Sequence, residues 1–269
     1  MKTLIIIPAR YGSTRLPGKP LLKIAGISML QRTYTIAKHA TEKLANVDIV
    51  IATDDQRILE HSKNFSAHCV MTAATCQTGT DRALAAIKQL DYIPDLVINL
   101  QGDAPLTPPN FIVALITAMA DADSIEVATL AAQLNWRELD KLRAHKKSSP
   151  FSGTTVIINA NNKALWFSKN IIPAIRNEQN LREQMSQAPI YRHIGIYAFR
   201  YEMLQKYASM QQTYYEKLEG LEQLRLLEHG YAIHVVPVSY AGKETIAGID
   251  TMKDLKLAEK LILEYGELV

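Results

Sequence analysis

Short runs of apolar, often β-branched residues alternate with longer amphipathic stretches through the first half of this chain, and that alternation admits few folds. Leu4 to Pro8, Val47 to Thr53, Cys69 to Thr72, Leu96 to Leu100 and Val127 to Leu130 read as strands. Between them, Ser28 to Ala40 sets Met29, Ile36, Ala37 and Ala40 on one side of a helix, and Asp55 to Lys63 opens a second with acid at its start. Asp81 to Leu90 turns Leu84 and Ile87 inward. Pro108 and Pro109 begin a helix through Ala120, where their missing N–H groups are tolerated. Strand, helix and strand in alternation predict a parallel sheet covered on both faces. In such sheets ligands gather outside the carboxyl ends of the strands. The loops to watch are therefore Pro8 to Leu22, Thr53 to Asp55, Ala73 to Arg82 and Gln101 to Pro109.

The 269 residues allow one large α/β domain or two small ones. From Lys146 to Gln187 the pattern is irregular, with a strand at Thr154 to Asn159 and a polar stretch, Arg176 to Gln187, expected to be a mobile lobe or a subunit contact. Order returns with a strand over Tyr191 to Phe199, helices over Tyr201 to Ala208 and Glu216 to His229, a strand over Ala232 to Val238 and a last helix from about Met252. The formal charge of +3 is too small to predict a nucleic-acid partner. Cys69 and Cys76 have no CxxC spacing and read as reduced thiols. The first apolar run, Leu4 to Ile7, ends at Pro8, short of the roughly 7 to 15 apolar residues of a secretion signal, so a cytoplasmic protein with no membrane insertion is expected.

The loop after the first strand is built for an anion. Between Pro8 and Pro20 it carries Gly12 and Gly18, which let backbone N–H groups approach phosphate oxygens, and the cations Arg10, Arg15 and Lys19. A nucleoside triphosphate offers the matching charge. Five residues rather than four separate the glycines, and Pro20 stands where a P-loop needs Ser or Thr, so a Walker A reading fails. There is no G-x-G-x-x-G fingerprint either.

Asn99-Leu100-Gln101-Gly102-Asp103 ends a strand with an amide, a glycine and a carboxylate. Asp103 is a candidate Mg²⁺ ligand, because that ion is held by one or two carboxylates while keeping waters and taking substrate phosphates. Asp250 is the best second ligand, with helix capping as its plainer use. Gln101 can pair with a nucleobase edge, and Thr78, Gly79, Thr80 and Arg82 add hydroxyls, a close-approach glycine and a cation to the same rim. Thr80 has a plainer use as a helix cap.

Pro8-Ala9-Arg10, Ser13 through Leu21, Ala52-Thr53-Asp54, Gly79 through Arg82, Gln101-Gly102-Asp103, Arg192 through Tyr197, Leu221 through Arg225 and Ile249-Asp250-Thr251, in that order, resemble the 3-deoxy-manno-octulosonate (Kdo) cytidylyltransferases. The resemblance covers nearly the whole chain. It implies a Rossmann-like nucleotidyltransferase fold, a three-layer α/β sandwich with a mostly parallel sheet, in one domain over 1–269 with a smaller sugar-binding and dimerisation lobe at about 135–200. It further implies a homodimer that uses CTP and Mg²⁺ to activate a 2-keto-3-deoxy sugar acid as its CMP derivative for lipopolysaccharide. On this reading Ala9, Arg10, Lys19, Thr78, Arg82 and Gln101 meet the nucleotide, and Arg10, Arg15, Lys19 and Asp103 form the catalytic set. Asp103 with Asp250 hold the metal, and His193, Tyr197, Glu219, Glu222 and Gln223 meet the sugar. Glu219, Glu222 and Gln223, three and four residues apart, are expected on one face of one helix.

The sequence departs from the family on the acceptor side. Ala104 follows Asp103 where the family usually has Glu, Ser149 through Val156 lacks the usual Val-Lys pair, and Lys169 stands where Arg is common. These differences admit the same chemistry on a modified acid, such as the 8-amino-3,8-dideoxy analogue. Two other classes are a glycosyltransferase of related fold, which needs an Asp-x-Asp found only at Asp121-Ala122-Asp123, and an inactive CTP-binding protein.

Overall fold

The computed structural model describes residues 1–12, 16–76, 78–241, 248–249 and 251–266. In chain order the strands are β1 (Thr3–Ala9), β2 (Lys23–Ile24), β3 (Ile27–Ser28), β4 (Val47–Thr53), β5 (Cys69–Met71), β6 (Leu96–Asn99), β7 (Val127–Asn135), β8 (Thr155–Ile158), β9 (Ala164–Ser168), β10 (Gln187–Arg200) and β11 (His234–Val238). The helices are α1 (Met29–Thr41), α2 (Gln56–Lys63), α3 (Gly79–Ile87), α4 (Pro109–Asp121), α5 (Trp136–Ser148), α6 (Glu178–Gln184), α7 (Tyr201–Ser209), α8 (Tyr214–Glu219), α9 (Leu224–Glu228) and α10 (Met252–Tyr265). A short 3₁₀ turn covers Lys19–Leu21.

The main sheet runs β11-β7-β10-β6-β1-β4-β5. β1 pairs in parallel with β4 on one side and β6 on the other. The chain order therefore reverses at β1, and the loops after β1 and β6 emerge side by side at this switch point. Alternate residues of β1 feed opposite cores: Leu4 and Ile6 pack with Ala83, Met203 and Leu204, whereas Ile5 and Ile7 pack with Ile36, Phe111 and Leu115. All four are fully buried, as a strand covered on both faces requires.

β10 is the departure from a purely parallel sheet. It is antiparallel to β6, β7 and β8, and at 14 residues it outruns the sheet. Its first half, with α5 and α6, encloses a separate small core of Leu134, Trp136, Leu139, Leu142, Ala188 and Ile190. The polar stretch Arg176 to Gln187, expected as a mobile lobe or a subunit contact, contains a helix. This is α6, tied to α5 by Arg143 on Glu178 at 2.6 Å and by Arg182 on Asp140 at 2.6 Å, while Arg182 also braces Glu178 within α6 at 2.7 Å.

The expected helix over Glu216 to His229 is two helices. Gly220, with φ at 63°, takes the left-handed conformation that ends α8, and α9 begins only at Leu224. Both cysteines are free. No helix among the described residues is long and apolar enough to cross a membrane.

Candidate active site

Two glycines let the switch-point loops close on each other. A Cβ on Gly102 would lie 2.9 Å from the Pro8 carbonyl oxygen, so only glycine lets the end of β6 pass against β1. Gly18, at φ 66°, leaves room where a Cβ would lie 3.0 Å from the Tyr11 ring, and its N–H donates to the Tyr11 carbonyl at 3.0 Å. The guanidinium of Arg57, itself paired with Asp55, covers that ring 3.3 Å from its centroid. The loop held this way carries Lys19, whose Nζ donates to Asp103 Oδ2 at 2.7 Å. Lys19 is 11% exposed and Asp103 41%, so the pair adds little to stability and its carboxylate stays accessible.

On the rim, Gly79 places the start of α3 against Pro8 and beside Gln101 Oε1. Thr78, not Thr80, caps α3, in a capping box with Asp81. Thr80 is buried and accepts from Asn99 at 3.3 Å. Arg82 reaches the cleft wall, with its guanidinium anchored to Asp54 at 2.7 Å and Thr72 at 2.6 Å. Across the floor, the Ile249 N–H donates to the Asp103 carbonyl at 3.0 Å, which brings the segment leading to α10 onto Asp103. Thr251 caps α10, so capping does not need Asp250. Arg15 and Asp250 lie outside the described residues.

The other wall comes from β10 and the turn between α8 and α9. His193 packs between Phe167 and Tyr197, with ring centroids at 4.9 and 5.5 Å, and its Nε2 lies 2.9 Å from Thr129 Oγ1. Burial, with the Lys169 ammonium adding to it, pulls its pKa down to about 3, so the ring is neutral under ordinary conditions. Burial also pushes the Tyr197 phenol well above its usual range and raises the Glu222 carboxyl, which Arg225 partly offsets. Gln223 is 3% exposed and lines the cleft, and its Nε2 has no hydrogen-bond partner among the described residues. Behind this turn Arg225 grips Glu216 with two bonds, at 2.8 and 2.5 Å.

Both walls belong to one cleft of about 1840 Å³. That exceeds the roughly 300 to 1,000 Å³ of a single small-molecule pocket and leaves room for two reactants. The profile of the cytidylyltransferase family matches residues 4–236. The chain belongs to the cytidylyltransferase family. Among its relatives, the 3-deoxy-manno-octulosonate cytidylyltransferase of Maricaulis maris is 42% identical over the full length of both chains. That of Coxiella burnetii is 40% identical over 95% of this chain and 98% of its own. A solved CMP:2-keto-3-deoxy-manno-octonic acid synthetase in complex with CTP superposes with a TM-score of 0.82 at 34% identity, over 98% of this chain and 99% of that one. Its nucleotidyltransferase-like α/β fold is the fold expected from the sequence.

In this cytidylyltransferase Ala9, Arg10, Lys19, Thr78, Arg82, Gln101, Asp103, His193, Tyr197, Glu222 and Gln223 all line the one cleft. Glu219 does not. Its carboxylate accepts from Ser168 Oγ at 2.7 Å and from the Lys169 N–H at 2.8 Å, because the break at Gly220 turns it away from Glu222 and Gln223. Its effect is on Lys169, which reaches Thr154 Oγ1 at 3.2 Å on the cleft wall. Lys146 works on the same segment: its ammonium donates to the carbonyls of Pro150, Ser152, Gly153 and Lys169 and stitches the loop that lacks the family's usual Val-Lys pair.

Arg192, inside the motif Arg192 through Tyr197, is a cleft cation to which the sequence reading gave no role. It lines the cleft without a hydrogen-bond partner among the described residues, and burial lowers its pKa. An arginine in a mostly buried strand was the available signal. Asp121-Ala122-Asp123 spans the end of α4 at the opposite end of the sheet, where Asp123 is fully exposed and meets Arg200. Neither carboxylate lines the cleft, so the structure does not favour a glycosyltransferase metal site there.

Proposed function

We propose that this cytidylyltransferase joins CMP from CTP to the anomeric hydroxyl of 3-deoxy-manno-octulosonate and releases pyrophosphate, a step that serves lipopolysaccharide assembly. The observation that carries the reading is the meeting of Lys19 and Asp103 at 2.7 Å over the switch point, in a cleft whose far wall presents His193, Gln223 and Arg192. Full-length identity to enzymes named for this substrate supports it.

Arg10 and Lys19 bind the triphosphate, and Gln101, beside the glycine at the start of α3, faces the base. Arg192 supplies the positive group an acid acceptor needs, and Gln223 Nε2 offers a donor to a sugar oxygen. One described carboxylate at a strand end, beside phosphate-binding cations, fits Mg²⁺ rather than an all-protein metal cage, and no group of three His, Cys, Asp or Glu among the described residues could hold a metal. Asp103, with Asp250, would hold it. When bound, Mg²⁺ neutralises phosphate charge and acidifies a coordinated hydroxyl. The chain aligns the two anions: the new O–P bond forms at the α-phosphorus as the bridge to the β-phosphate breaks, and the hydroxyl proton ends in solvent.

Pyrophosphate release is to be measured with four nucleoside triphosphates and a panel of 2-keto sugar acids. Activity confined to CTP with 3-deoxy-manno-octulosonate is expected; equal rates with UTP, or none with this acid, would refute the reading. We further propose a homodimer, supported by the exposed Leu165, Tyr214, Tyr215 and Leu218 on β9 and α8, with a monomeric mass in solution as the contrary result.

A further inference from the structure

Thr129 sits on β7 opposite Tyr197, at a place where β10 bulges: Ile194 pairs with Leu130 and Tyr197 with Thr129, leaving Gly195 and Ile196 without register partners. The Thr129 hydroxyl is fully buried and meets three groups, the Ile196 carbonyl at 2.9 Å, the Ile194 carbonyl at 3.3 Å and His193 Nε2 at 2.9 Å. A hydroxyl has one proton to give, and two oxygens at 2.9 Å repel unless a proton lies between them. Since a carbonyl cannot donate, the Thr129 proton goes to Ile196. Thr129 Oγ1 can then only accept from the imidazole, so Nε2 carries the ring's single proton. Nδ1 is left as a bare acceptor. It has no hydrogen-bond partner among the described residues, and His193 lines the cleft.

We infer that Thr129 is a positioning residue: it holds His193 as the Nε2–H tautomer and thereby presents Nδ1 to a hydroxyl group of the acceptor. The inference rests on the acceptor being a polyhydroxylated acid, as proposed above. It gives the bulge a purpose, because the two extra residues deliver the Ile196 carbonyl that takes the threonine's proton. It also makes His193 a hydrogen-bond acceptor rather than a proton carrier.

The test combines ¹⁵N-histidine NMR on the full chain with steady-state kinetics. In the wild-type protein without substrate, His193 is expected to show a protonated Nε2 and an unprotonated Nδ1. Thr129→Val should lose that signature and raise the KM for the sugar acid about five- to tenfold with the KM for CTP unchanged, and Thr129→Ser should restore both. A wild-type Nδ1–H tautomer overturns the inference, as does a folded Thr129→Val with unaltered tautomer and acceptor KM. The NMR result needs no substrate and remains decisive if Thr129→Val fails to fold. The expected tautomer together with no turnover of 3-deoxy-manno-octulosonate would reject the proposed substrate while keeping the threonine's role on the imidazole.

Discussion

Acid should reveal what it costs to keep His193 neutral. Burial, reinforced by the ammonium of Lys169, holds the folded imidazole at a pKa of about 3, against 6.5 for an ordinary histidine. For a base with a depressed folded value, stability is intact above the unfolded pKa and is lost as pH falls from about 6.5 toward 3, because over that interval only the unfolded chain takes the proton. At about 1.4 kcal/mol per pH unit the loss is roughly 2 kcal/mol by pH 5 and roughly 4 to 5 kcal/mol by pH 3. Glu222 acts in the opposite sense, since burial raises its carboxyl and it takes up a proton while folded. Tyr197, with its phenol pushed upward, stays neutral throughout. A comparison with His193→Gln removes the shared contributions, because glutamine can still donate an amide proton to Thr129. Urea midpoints at pH 7 and pH 5 should show the wild-type protein losing about 2 kcal/mol more than the variant. Equal losses would mean that the imidazole charges within the fold, and would refute the burial argument.

Asp103→Asn keeps shape and removes charge; turnover at saturating Mg²⁺ should fall at least about a hundredfold while the melting temperature stays within about 4 °C, and a rate within twofold of wild type would misplace the metal. Gly102→Ala drives a Cβ to 2.9 Å from the Pro8 carbonyl, so it should cost about 1 to 3 kcal/mol in a urea titration and separate Lys19 from Asp103 with loss of turnover; a neutral substitution would show that β1 can yield. Glu216→Ala strands the Arg225 guanidinium, which is only 7% exposed, and should destabilise the fold by about 3 kcal/mol, with a cost below 1 kcal/mol as the contrary outcome in the same titration.

The nucleotide half of the site was legible because it is local. Strand ends, the glycines that let them approach and the cations between them lie within short segments, and β1 and β6 carry Lys19 and Asp103 to one place by simple adjacency. The acceptor half was less legible. Glu219, Glu222 and Gln223 have helical spacing, but the left-handed turn at Gly220 interrupts the helix and hands Glu219 to Ser168 and Lys169. On the nucleotide rim Arg82 stands on the cleft wall as its motif suggests, and what the sequence left out is the Asp54 carboxylate, 28 residues earlier, that holds its guanidinium there.

By itself the sequence determined the alternation of strands and helices, the edge of the sheet where a ligand must lie and the sign of the charge gathered there. These follow from periodicity and from residue chemistry within a few positions of one another. Only the tertiary structure decided that β10 runs antiparallel between β6 and β7, that Thr129 faces His193 across 64 residues, and that the Arg192 side chain lines the cleft with no hydrogen-bond partner among the described residues. The direction of a side chain and the identity of its partner depend on which distant segments the buried cores bring together, and no local pattern encodes that.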